Sequence, residues 1–508
     1  MHWGTGVLGS SSRSARIANS DPKVATRASG SHRAAYAFSA SKSFALLLVG
    51  ASVVWAPKPA LALPSFARQT GQPCSSCHTS FPQLKPFGRQ FKLGGYTAGG
   101  TRGCGSGSGE AASASAGDDH AMELLKQIPI AGMAVPNFTH IKKGLPADDT
   151  PKGFNSNDNT YVQETSIFYG GQVVCNLGAF VQGTYERPGA DFFLDNTDIR
   201  YADQTKLGGM DVTYGVTANN NPTVQDPWNT TPTWSYPFIG ASDALAPTPG
   251  AGTMIEGGFE GRVAGVGGYI WANNMLYLEG TAYGTFGSHD LSALGLDPTD
   301  PPSRFDGLAP YWRAALEKDW GDYAFEVGTF GMYANVAPLG NQSAPTDQVT
   351  DVGFDTQLQY FHNRNAYTGR FTYIFQHQKN DGSRLVGLAT NPSDDLGSLK
   401  VSGEYVYNGT WSFDAGYFNL NGDADALMYA DSASPSAPGS PNSSGWVFDV
   451  AVAPWSNGGP KWWPGFNSKI GIQYTHYNEF NGASSNYNGD FRNASDNDTT
   501  YVYAWTAF

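Results

Sequence analysis

From about residue 128 to Phe508 the apolar positions recur every second residue. In 367–375, Tyr367, Phe371, Tyr373 and Phe375 share one face, and Thr368, Arg370 and Thr372 share the other. In 173–185, Leu177, Ala179, Val181 and Tyr185 oppose Asn176, Gln182 and Thr184. Leu399, Val401, Tyr405 and Tyr407 oppose Lys400, Ser402 and Glu404. Period two predicts half-apolar strands, and about ten residues is enough to cross a bilayer on a tilt. We count about sixteen such segments, from 128–142 through 160–170, 172–186 and onward to 498–508. Their connections alternate in length. Short turns are expected at Gly171, Gln204–Lys206, Asn273-Asn274, Gly321, Asn363–Asn365 and Gly409, and long loops at 143–159, 219–259, 288–308, 336–349, 380–396, 422–443 and 479–497. This rhythm predicts an all-β outer-membrane barrel of about sixteen strands, with both barrel ends on the periplasmic side. Two features depart from it. Tyr501, Tyr503 and Trp505 lie on the opposite face from the terminal Phe508, and the turn 456–466, with Trp462-Trp463-Pro464, is long where a short one is expected.

Before residue 128 the pattern differs. Phe44–Ala56 is an apolar run too short for a transmembrane helix. It follows Arg13, Arg16, Lys23, Arg27, Arg33 and Lys42 and precedes Ala60-Leu61-Ala62, so residues 1–62 are expected to be a signal peptide. Residues 99–127 are Gly/Ser/Ala-rich and end in a short helical turn near Ala121–Gln127, which reads as a linker. Composition agrees with export and a barrel: 62 glycines, 13% aromatic and only 15% charged residues. A net charge of −13, with an excess of basic residues in the leader, disfavours nucleic acid as a partner.

Residues 63–98 carry the candidate chemistry. Cys74-Ser75-Ser76-Cys77-His78 has the spacing for covalent c-type haem: two thiols for the vinyl groups, and His78 as the proximal axial ligand on the same turn. A zinc site would need two more ligands at matching spacing, and a redox dithiol has no use for His78. The segment is too short for a core of its own and is expected to lean on another surface. Phe81, Leu84, Phe87, Phe91 and Leu93 are candidates to cover a haem face. The sixth ligand is expected to be Met133, whose parity groups it with Val135, Asn137 and Thr139 on the lumenal face; His120, Met122 and His140 are the other candidates. Packing against the segment is the ordinary alternative for Met133. Cys104 and Cys175 remain as a candidate disulfide, although parity sets Cys175 on the outer face. Loop acids Asp148, Asp149, Asp158, Asp297, Asp300, Asp394 and Asp395 offer hard oxygen ligands for Fe(II) or simply a solvated surface. Glu326 and Glu404 face inward as lumenal polar groups.

Phe66–Gly71, Cys74–Thr79, Phe81-Pro82 and Phe87–Leu93, followed by a porin-like remainder, resemble the fused monohaem cytochrome–porins of iron-oxidising bacteria, the outer-membrane iron:cytochrome c oxidoreductase group. The likeness is dense over residues 63–96 and architectural beyond them. It implies a barrel, 128–508, plugged by its own cytochrome segment. It also implies oxidation of extracellular Fe(II), with electrons passing through one haem c to a periplasmic c-type cytochrome or copper protein. A passive diffusion porin with an accessory haem segment is the alternative. A haem peroxidase would need an open iron position and a distal acid–base pair, and no such pair stands out.

Overall fold

The strands form where period two is cleanest, and their polarity is inverted relative to a water-soluble sheet. In Asn365–Lys379 the apolar Tyr367 and Phe375 are 45% and 41% exposed, whereas Thr368 and Arg370 between them are buried. A sheet with exposed large apolar side chains outside and buried polar ones inside has hydrocarbon on its outer face. The computed structural model describes residues 64–97 and 129–508, apart from 148, 190, 232–243, 257–258, 260, 296–303, 341–344, 431–434 and 464. The expected signal peptide and linker, with Cys104, His120 and Met122, lie outside the described residues.

Seventeen strands form one sheet; one of them, Arg304–Phe305, has two residues, so sixteen build the wall. Each wall strand pairs antiparallel with its neighbours in sequence. The first, Ile130–Ile141, also pairs with the last, Thr499–Ala507, and Asn137 faces Tyr161 on one side and Tyr503 on the other. The sheet is therefore closed and has no free edge. All sixteen strands fall on the segments the periodicity marks. Outward rings stack near the short-turn ends: Trp320, Tyr323, Tyr360, Tyr367, Tyr405 and Phe413 run in sequence at centroid separations of 4.6–6.0 Å. This is the aromatic girdle of an outer-membrane barrel. Among the described residues no helix is long and apolar enough to cross a membrane.

The short turns need positive φ, and the sequence supplies Asn and Gly for it. Asn273 and Asn274 have φ of 53° and 52°, and Asn408 and Gly409 have 55° and 63°. Two turns lie further along than expected. Asn159–Val174 runs past Gly171 and turns at Cys175-Asn176, where Asn176 has φ 61°. Asp191–Leu207 runs through 204–206 and turns at Gly208-Gly209. In each case the residue that tolerates the left-handed region sets the turn, rather than the first break in polarity. Cys175 thus sits in a turn, and the strand parity assigned to it does not apply.

Two pieces of chain bond to inward-facing side chains of the wall. In the connection between Asn219 and Val263, the described residues 219–231, Met254 and Ile255 are buried. Met254 N donates to Gln376 Oε1 (2.7 Å) and Ile255 N to Asp351 Oδ2 (2.8 Å), both inward-facing side chains. The second piece is residues 64–97, with helices α1 (Pro64–Thr70), α2 (Cys74–Cys77) and α3 (Pro86–Leu93). Pro86 at the first turn starts α3, and Gly94-Gly95 ends it. Gly95, φ 72°, lies 3.2–3.3 Å from the backbone of Asn176, Arg200 and Ala202 at the position of a Cβ, so a side chain there has no room.

Candidate functional site

The helical turn α2 holds both cysteines, and both are buried. Ser75 N donates to Ser456 O (3.0 Å), and Asn467 Nδ2 donates to Cys74 Sγ (3.2 Å). The long turn 453–466, anomalous in the loop rhythm, is thus the seat of the CxxC turn. Burial pushes the Cys74 thiol up to about 12 and the Cys77 thiol up to about 11. Zinc ligation and disulfide exchange both work through thiolates, which this setting disfavours; thioether formation leaves no charge to bury.

His78 follows at once. Its Nδ1 lies 3.3 Å from Pro82 O and 3.2 Å from Gln83 O. A ring nitrogen facing two carbonyl oxygens must be the donor, so the lone pair resides on Nε2. That is the tautomer of a metal-bound imidazole, its other nitrogen oriented by backbone carbonyls. Burial, opposed by those two hydrogen bonds, lowers His78 to about 4, so the ring is the neutral ligand form. Two buried polar atoms nearby, Thr79 Oγ1 and Gln83 Nε2, have no hydrogen-bond partner among the described residues. Two protonated thiols, a free imidazole nitrogen and two spare polar groups fit a covalently held haem with its carboxylate-bearing edge. α3 packs directly beneath: a Cβ on Gly88 would lie 2.4 Å from Cys77 O.

The segment is anchored to inward-facing side chains by charge. Arg89 Nε donates to both Glu317 oxygens (3.1 and 2.9 Å) and Nη2 to Oε1 (2.6 Å), with both side chains nearly inaccessible. Arg89 Nη1 reaches Leu84 O (2.7 Å) and Gln359 Oε1 (3.0 Å). Tyr96 Oη donates to Asp198 Oδ2 (2.6 Å), and Tyr269 Oη donates to Leu93 O (2.7 Å). Lys92 Nζ donates to Val224 O and to Asp226 O on the inward-folded connection. Trp228 Nε1 of that connection donates to Glu317 Oε2 (2.6 Å), so Glu317 is bonded at once by the N-terminal segment and by the loop. Charge-assisted bonds of this kind are about twice as strong as neutral ones.

Met133 is buried on the first strand with Val135, Asn137 and Thr139, as its parity predicts. It belongs to a cluster with Tyr501, Tyr503 and Trp505, against which Phe66, Phe81 and Phe91 of the segment pack. Trp505 Nε1 donates to Met133 Sδ (2.6 Å), and the Trp505 and Phe81 rings meet edge-on at 5.1 Å. His140, by contrast, is outward and pairs with Asp158 (2.7 Å). Of the five apolar residues expected over a haem face, Phe81, Phe91 and Leu93 pack on barrel or loop side chains, and Phe87 is 45% exposed. Cys175 is disulfide-bonded; its expected partner, Cys104, lies outside the described residues.

The loop acids have local partners. Asp394 accepts from Asn380 and Asn391, and Asp395 pairs with His377. Asp148, Asp297 and Asp300 lie outside the described residues. Among the described residues no group of three or more His, Cys, Asp or Glu side chains is arranged to hold a metal ion. Glu326 and Glu404 face inward and are buried, Glu326 against Arg313 (3.2 Å). Sequence reasoning missed Arg89, Glu317, Trp228, Ser456 and Asn467. One signal was available: residues 64–97 contain Arg68, Lys85, Arg89 and Lys92 and no acid, in a chain of net charge −13.

No family profile matches the chain, and no curated protein matches it. Solved structures of similar shape are outer-membrane channels. The DcaP channel of Acinetobacter baumannii is 11% identical, with a TM-score of 0.42 over 75% of this chain and 96% of that one. Salmonella typhi OmpF, in complex with daunomycin, is 14% identical, with a TM-score of 0.40 over 75% and 97%. The anion-selective porin of Comamonas acidovorans is 9% identical, with a TM-score of 0.40 over 74% and 98%. The outer-membrane barrel assignment rests on the closed pairing and inverted polarity described above.

Proposed function

We propose that the chain is an outer-membrane c-type cytochrome. It oxidises extracellular Fe(II) and passes the electron through one covalent haem c to a periplasmic c-type cytochrome or copper protein, an iron:cytochrome c oxidoreductase activity. One observation carries this reading: a CxxCH turn with a free imidazole Nε2 sits at the short-turn end of a barrel whose interior is crossed by side-chain contacts. Haem, when bound, supplies one-electron chemistry. Cys74 and Cys77 hold it, and His78 is its proximal ligand. Pro82 and Gln83 orient the imidazole, Asn467 and Ser456 seat the turn, and Arg89 locks the segment in place. In an outer-membrane barrel short turns face the periplasm, which suits delivery to a small carrier on that side.

Met133 is the distal ligand in this reading. It is buried where Phe81 packs, and its thioether, accepting one bond from Trp505, keeps a second lone pair. Met133→Ala is expected to shift the haem spectrum toward high spin; an unchanged low-spin spectrum and potential would remove Met133 from the role.

The alternative is a passive diffusion porin with an accessory haem segment. The meeting of Arg89, Trp228 and Glu317 inside the barrel weighs against a wide water path. Proteoliposomes with oxidised carrier inside and Fe(II) outside decide the matter. Carrier reduction is expected, with little conductance in planar bilayers; large stable conductance without carrier reduction would support the porin.

A further inference from the structure

The aromatic face of the last strand has no role in haem attachment. Tyr501, Tyr503 and Trp505 point inward and are buried, reversing the outward placement of rings that defines the girdle. At about 3.3 Å per residue they cover roughly 13 Å along the strand. Trp505 lies at the short-turn end, its ring 5.1 Å from Phe81, three residues from His78. Tyr501 and Tyr503 stack at 5.4 Å, and Trp505 follows on the same face in the same buried cluster.

From Tyr501 the contacts cross sideways to the first two strands. Asn137 Nδ2 lies 3.4 Å from Tyr501 Oη and donates to Gln163 Oε1 (3.0 Å). Tyr161 Oη donates to the same Gln163 oxygen (3.3 Å), and the Tyr161 ring meets Phe154 at 5.1 Å. Phe154 belongs to the connection between the first two wall strands, one of the long loops on the extracellular side. Among the described residues, the other buried aromatic groups do not make this span. The group with Phe330, Tyr283 and Tyr311 packs on the inward loop and Phe305 and includes no residue of the segment. The group with Trp228, Tyr269 and Tyr277 meets the segment at Leu93, far along the chain from His78.

We propose that Tyr501, Tyr503 and Trp505, with Phe81 below and the Asn137–Gln163–Tyr161–Phe154 contacts above, are the route by which electrons cross the barrel to the haem. This rests on the iron-oxidising reading. One Fe(II) at the rim becomes Fe(III), and the same electron converts ferric haem to ferrous. No ring is oxidised or reduced in between; packed and hydrogen-bonded atoms couple donor to acceptor better than water or an empty gap. None of these side chains is an iron ligand or a haem attachment residue in this reading, and Trp505 contacts one, Met133, so they are positioning residues for electron transfer.

The test uses the full haem-loaded chain in liposomes. The double variant Tyr501→Leu, Tyr503→Leu should keep the parent haem spectrum and midpoint potential. Haem reduction by Fe(II) added outside should fall severalfold, while reduction by dithionite from the periplasmic side keeps its rate. Tyr503→Phe, which restores a ring, should recover the rate lost in Tyr503→Leu. If the double variant does not assemble, Tyr501→Leu alone should show a smaller one-sided loss. Reduction from outside at the parent rate overturns the route, and so does an equal loss from both sides or a shifted potential. A parent chain that Fe(II) cannot reduce from outside overturns the iron reading and this inference with it; a competent parent beside an unimpaired variant overturns this inference alone.

Discussion

Replacing Arg89 by Met tests whether the N-terminal segment is locked in the barrel by charge. Arg89 and Glu317 are 228 positions apart, and their side chains are 1% and 2% accessible. Removing Arg89 leaves the Glu317 carboxylate buried with the Trp228 indole as its remaining strong donor, and takes the Arg89 donor from Gln359 Oε1 as well. Breaking one side of a buried pair costs about 3–5 kcal/mol, because the partner charge stays desolvated. At about 1.4 kcal/mol per factor of ten, the undocked population should rise roughly a hundredfold or more. Neutralising both partners, as in Arg89→Met with Glu317→Met, removes the stranded charge and should recover much of the loss, giving a coupling energy in a double-mutant cycle. Limited proteolysis of the folded, liposome-inserted protein reports segment release, and planar-bilayer recording reports a water path. Arg89→Met should be cut faster and show intermittent conductance, small in size because residues 219–231, Met254 and Ile255 stay buried and Met254 and Ile255 stay bonded to inward-facing side chains. A single variant as protected and silent as the parent would refute the lock. So would a double variant worse than both singles, since the pair would then contribute by packing and not by compensating charge.

Gly88→Ala should disturb the CxxCH turn, the proposed haem attachment site, without replacing Cys74, Cys77 or His78. Its Cβ would meet Cys77 O at 2.4 Å and Leu84 Cδ2 at 3.0 Å, and backbone cannot yield cheaply, so about 1–3 kcal/mol of strain is expected, read as lower haem incorporation. Phe354→Arg, at an outward position 53% exposed near the middle of Asp347–His362, should cost about 2–4 kcal/mol in denaturant titrations of the bilayer-inserted barrel. A neutral Phe354→Arg would mean that this face does not meet lipid.

The barrel wall was legible because its code is local. Each outward ring in 367–375 answers to lipid, wherever the rest of the chain goes, and the alternation can be read three residues at a time. Met133 was placed correctly for the same reason: its strand neighbours Val135, Asn137 and Thr139 share its burial. Cys175 was misread because its position depended on the preceding turn. That turn waits for Asn176, five residues beyond the expected Gly171, and parity counted from the wrong corner has no meaning.

The interior follows another rule. An inward Glu317 reads the same in sequence whether it faces water, as in an open channel, or an arginine from the far end of the chain. Nothing in the strand Ala309–Trp320 distinguishes the two. The distinction lies in the partner: residues 64–97 carry four basic side chains and no acid, and three of these, Lys85, Arg89 and Lys92, flank or lie on one short helix. Such a segment would gain nothing from a solvated surface in an acidic chain, but it complements a wall lined by Asp198, Glu317 and Glu326. Charge asymmetry between the leading segment and the barrel was therefore the readable sign that the segment meets the inward-facing acids of the wall. The exact pairing, Arg89 with Glu317, needs the folded register that brings the ends of the chain together.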